Sequence, residues 1–111
     1  MNGARTVVLN GVAMFAGFSA DGKTRFVPTR DDHRLVAIDT ATLTTRPLPL
    51  PAQACLNAHA FVMGKDGVVV CEGDHVTRPG SIVWINSAAF AIIGFVEVGM
   101  FSDVATWLPA L

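Results

Sequence analysis

The chain is short of charge. Of its 111 residues only 15% are Asp, Glu, Lys or Arg, while 51% are hydrophobic; a charged share of roughly a quarter is usual for a globular domain. This composition excludes intrinsic disorder, which needs low hydrophobicity and high net charge. The net charge of −1 provides no field to attract nucleic acid or an anionic membrane surface, so neither is expected as a partner. A domain of this size buries only about two-thirds of its unfolded surface. Eight basic and nine acidic residues are few to solvate the rest. The expectation is a chain that covers its flanks against something else.

Cysteine is also scarce. Cys55 and Cys71 are too few for a disulfide-dense mini-domain, and no CxxC pair marks a zinc ribbon or a redox motif. The spacing allows one bridge, but the favoured reading is two small buried hydrophobes, since free Cys is among the most buried residue types. Long apolar runs are missing. The greasiest stretch, Ala88 to Val96, is bounded by Asn86 and Glu97 and has about half the ~20 residues a membrane helix needs; buried strands explain it better. Residues 1–14 carry one Arg and a short apolar patch, Thr6 to Leu9. They lack the apolar core of a signal peptide, so localisation is left open.

What the sequence does contain is a repeat. Phe18-Ser19-Ala20-Asp21-Gly22 precedes the run Arg25-Phe26-Val27-Pro28, and Phe61-Val62-Met63-Gly64-Lys65-Asp66-Gly67 precedes Val68-Val69-Val70-Cys71. Downstream, Leu35-Val36-Ala37-Ile38-Asp39-Thr40-Ala41-Thr42 matches Ile82-Val83-Trp84-Ile85-Asn86-Ser87-Ala88-Ala89. Asp-Gly between apolar runs is a strong hairpin signal, and the Asp39 and Asn86 segments have turn composition. The runs are Val-, Ile- and Phe-rich and too short for helices. They predict ten strands: Thr6–Leu9, Ala16–Ser19, Arg25–Thr29, Arg34–Asp39, Thr44–Leu48, Ala58–Met63, Val68–Glu72, Ser81–Asn86, Ile92–Glu97 and Val104–Leu108. Four strands in a unit of about 45 residues is the period of a propeller blade. The predicted fold is therefore all-β, with antiparallel four-stranded blades in an incomplete β-propeller. It comprises the last strand of one blade (6–9), blades at 10–50 and 51–99, and the start of another (100–111).

The segments around Asp21-Gly22 and Leu35 to Thr42 resemble the repeats of YVTN-type β-propeller proteins; the second copy matches more loosely, with Asn86 in place of Asp39. Trp84 is followed by Ile85, so the Trp-Asp pair of WD40 repeats is absent. A closed propeller takes four blades or more. About two and a half would leave open flanks, which are aggregation hazards. The expected partners are thus further blades or a second copy, with a protein partner beyond them.

The resemblance implies a ligand or partner face built from the links between blades and the second-to-third-strand loops. All three histidines map there. Asp32-His33 and Asp74-His75 occupy matching loops, and His59, following Asn57, opens the first strand of the second blade, which lines the central channel. Imidazole and carboxylate could hold zinc or copper or accept a proton. No HxH or HExxH spacing sharpens that reading, and repeated Asx turn residues account for both Asp-His pairs. Gly17-Phe18-Ser19-Ala20-Asp21 is not a nucleophile elbow, because Asp21 stands where the second Gly belongs. No P-loop or Rossmann fingerprint occurs. Arg30-Asp31-Asp32-His33-Arg34 reads as a solvated turn, Trp84 and Trp107 as packing between blades, and Pro47, Pro49 and Pro51 as edge-strand prolines. The expected function is a non-catalytic propeller module for protein or ligand interaction, part of a larger propeller, with no cofactor. The alternative is a portion of a propeller enzyme or electron-transfer protein with a metal or small-ligand site on the loop face.

Overall fold

A computed structural model describes residues 7, 9, 11–30, 32–63, 66–73 and 79–98. They form eight strands and no helix: β1 Gly17–Phe18, β2 Thr24–Thr29, β3 Arg34–Asp39, β4 Thr45–Pro49, β5 Asn57–Met63, β6 Gly67–Glu72, β7 Ser81–Asn86 and β8 Ala91–Glu97. Each coincides to within about two residues with an expected strand. Of the two remaining expectations, Val104–Leu108 lies outside the described residues. The Thr6–Leu9 strand is corrected: Val7 and Leu9 are in no strand but pack on the Val27, Val36 and Ile38 face of the first sheet.

The strands make two antiparallel four-stranded meanders, β1-β2-β3-β4 and β5-β6-β7-β8. Alternation sets their faces. From β2 and β3, Phe26 and Leu35 join Phe61, Val69, Cys71, Val83 and Ile85 of the second sheet in one core. The Phe26 and Phe61 rings stack there at 4.6 Å. The opposite faces carry their own clusters, Val27, Val36 and Ile38 on the first sheet and Ala60, Val68 and Val70 on the second. Trp84 packs on the latter cluster, half-buried. Both sheets are thus apolar on both faces, which explains the low charge content.

The repeat extends to backbone detail. The β3–β4 turn is capped by the Asp39 carboxylate, which accepts from the Ala41 and Thr42 N–H groups at 2.9 Å. The β7–β8 turn is capped by the Asn86 side-chain oxygen, which accepts from Ala89 N–H at 3.0 Å. The turns close on Leu43 (φ 63°) and Phe90 (φ 52°), both left-handed, the arrangement in which a type I turn is followed by an αL residue.

The two sheets meet along their first strands. Residues 12–18 run antiparallel to β2, with Ala13 bridged to Thr29, and Phe15 makes a parallel bridge to Ala60 of β5. Phe15 N–H donates to the His59 carbonyl at 3.1 Å, and Phe61 N–H to the Phe15 carbonyl at 2.9 Å.

Cys55 and Cys71 are both fully buried, as expected. They are joined in a disulfide, however, not held as free thiols. The bridge fastens the 51–55 turn, built on Ala54 and Cys55 N–H donation to the Pro51 carbonyl, onto the end of β6. Ser81 reinforces this corner by donating its hydroxyl to the Ala54 carbonyl.

Candidate functional site

The sequence-predicted residues fall into two groups. Asp32 and His33 occupy the β2–β3 loop, and Asn57 and His59 lie on β5. Asp74 and His75 lie outside the described residues. No hydrogen bond, ion pair or ring contact among the described residues joins the two groups.

Asp32 organises its loop. The buried Thr29 hydroxyl donates to its carboxylate, and Arg34 Nε donates to Oδ2 at 2.7 Å. Burial pushes the Asp32 carboxyl pKa up, but the Thr29 hydroxyl and the Arg34 guanidinium outweigh it and hold it below the ordinary value. The loop is half-buried rather than the solvated turn its composition suggested. His33 takes a left-handed conformation, φ 52°, which short polar residues and His tolerate better than most. Its carbonyl accepts from Leu50 N–H at 2.7 Å, while its buried Nδ1 has no hydrogen-bond partner. In this loop, then, the carboxylate has a structural task.

The β5 group has more chemical character. The β5–β6 register shifts between Ala58 and Ala60, so His59 is the extra residue of a bulge, a device that re-aims a side chain. Its imidazole Nδ1 lies 2.5 Å from Glu72 Oε1, with both side chains more than four-fifths buried. The atoms are in contact without hydrogen-bond alignment, and the pair is ionic when the imidazole is protonated. The Phe15 ring stands edge-on to His59 at 5.2 Å. Asn57 opens the strand opposite Glu72. Glu72 was missed in the sequence because its role comes from strand register and a bulge, and neither leaves a local motif. Among the described residues no three His, Cys, Asp or Glu side chains converge to hold a metal.

A cleft lies elsewhere among the described residues. It occupies about 360 Å³ on the outer face of the first sheet, between Val7, Leu9, Met14, Phe18, Val27 and Leu43. Arg25 stands at its edge with its guanidinium over the Phe18 ring at 5.3 Å.

Comparison with protein-family models, with curated proteins and with solved structures finds no match. The repeat and the site therefore stand on their own residues.

Proposed function

We propose that the chain is a run of β-propeller repeats of the YVTN type, two blades of four strands, acting as a non-catalytic module that packs against further blades or a second copy and presents its loops to a protein or small ligand. The observation that carries this reading is the parallel Phe15–Ala60 bridge between the two first strands, since blades around an axis bring their innermost strands together. The shared Phe26–Phe61 core and the matched Asp39 and Asn86 turns support the same arrangement. So do the apolar clusters on the outward faces of both sheets, where neighbouring blades would pack. The buried disulfide fits maturation in an oxidising compartment.

Paired spin labels test the reading. In blades the sheets fan outward from the axis. Labels at Phe15 and Val62, near the axis, should therefore lie closer together than labels at Thr45 and Ile93 on the outermost strands. Equal separations would mean a parallel-faced sandwich and would remove the propeller reading. Titration with zinc and copper checks the non-catalytic part. The module reading expects no stoichiometric uptake; one-to-one binding lost in His59→Ala would put a metal centre in its place.

A further inference from the structure

The four sheet edges are not equivalent. The inner edges, at β1 and β5, are engaged with each other through the Phe15 hydrogen bonds. The outer edge at β4 is blunted. Leu50 N–H donates to the His33 carbonyl, so even-numbered residues of this strand face β3 and odd-numbered ones face away. Pro47 and Pro49 therefore remove donors from the outward side alone, a known protection of edge strands.

The edge at β8 has no such protection. It follows β7 as the last strand of its sheet, and it contains no Pro, Lys or Arg. Val98 N–H donates to the Gly80 carbonyl, so the even residues Val96 and Gly94 face β7. The backbone N–H and C=O groups of Phe95 and Glu97 therefore point outward. A bulge displaces the register near Ile93, leaving 94–98 as the regular stretch. Its side chains are apolar and open: Phe95 is 48% exposed, Val96 46% and Val98 37%, with the bulged Ile93 at 59%. Glu97 is the only charge in the strand.

We infer that β8 is a self-association edge, pairing antiparallel with β8 of a second copy about a two-fold axis at Val96. In that register Phe95 of one copy and Glu97 of the other exchange hydrogen bonds, Val96 meets Val96, and Gly94 meets Val98. Each Glu97 then faces an aromatic ring, whereas parallel in-register pairing would set the two carboxylates against each other, which is destabilising. Because each copy offers one competent edge among its described residues, the contact closes as a two-fold dimer and does not propagate into a fibre. The sheet becomes continuous across eight strands. This inference does not rest on the blade reading, whose test, run with labelled chains diluted into unlabelled ones, measures distances inside one copy, so either can fail alone.

Light scattering after size exclusion, over a range of concentrations, should give a discrete dimer. Glu97→Pro removes an outward donor without touching the β7 ladder, and Val96→Lys places a charge on the axis. Each should weaken dimerisation at least tenfold while keeping the β-sheet circular dichroism. Hydrogen exchange on the unmodified chain guards against misfolded variants: the Phe95 and Glu97 amides should slow as concentration rises, while Val96 stays protected throughout. A monomer at every concentration, a dimer indifferent to both substitutions, open-ended assembly, or exchange at Phe95 and Glu97 that ignores concentration would each overturn the inference.

Discussion

Phe61 is placed by two residues without side chains. A Cβ on Gly17 would lie 2.8 Å from the Phe61 carbonyl oxygen and 3.0 Å from its ring, and one on Gly67 would collide with the ring itself. Gly17 serves close approach between the two sheets, and Gly67 leaves room for the ring within the second sheet. Phe61 uses the space to stack on Phe26, and Phe26 in turn meets Phe90, over which Arg46 lies. The obstacle at Gly17 is backbone, which cannot rotate aside. Gly17→Ala should therefore destabilise the fold by about 1–3 kcal/mol, the usual cost of overpacking, read as a lower denaturant midpoint. An unchanged midpoint would mean the two sheets are not held at this spacing. The need for glycine here was invisible in the sequence, where Gly17 precedes a hairpin and Gly67 reads as the second half of an Asp-Gly turn. The Asp39 and Asn86 caps, by contrast, were legible, because an Asx residue at a turn acts on its own nearest backbone groups.

The same division between local and long-range cause runs through the elements. All eight strands could be placed from β-branched runs between turn signals, and the boundaries of β3 and β7 agree residue for residue. Short alternating segments carry that information locally. The disulfide and the His59–Glu72 contact were not legible, because the first depends on a turn reaching the end of β6 and the second on β5 and β6 lying side by side with a bulge at His59. Cys55 is not even in a strand; it reaches Cys71 through the 51–55 turn. The bridge spans 16 residues of sequence, and closing a loop of that length in the unfolded chain is worth about 3 kcal/mol. The double variant Cys55→Ala, Cys71→Ala should lose roughly that much, and the midpoint of thermal unfolding should drop by roughly 10 °C or more. If the drop is negligible, the proline turn and the Ser81–Ala54 hydrogen bond hold the corner without the bond.

At the scale of the whole molecule, charge is distributed unequally between two otherwise matched sheets. Each of the first sheet's three turns holds a carboxylate fixed by hydrogen bonds: Asp21, Asp32 and Asp39. All three are held below the ordinary 3.8, Asp21 chiefly by the Lys23 backbone N–H and Asp39 chiefly by that of Thr42, while at Asp32 hydrogen bonds override burial. A carboxyl whose pKa is lower folded than unfolded contributes stability that is complete above the unfolded value and is lost as pH falls through the folded one. Acid therefore acts on the first sheet below about pH 4. The Asp39 equivalent in the second sheet is Asn86, which caps the same turn and does not titrate. Acid should nonetheless unfold both sheets together, because Phe26 and Phe61 belong to one core and one core unfolds as a unit. Amide protection in β3 and in β7 should vanish at the same pH. Asp39→Asn should keep the turn, as Asn86 shows an amide can, and flatten the loss of stability between neutral pH and about pH 2. If β7 outlasts β3 in acid, the sheets are separate folding units, and their shared aromatic contact is a docking surface, not a core.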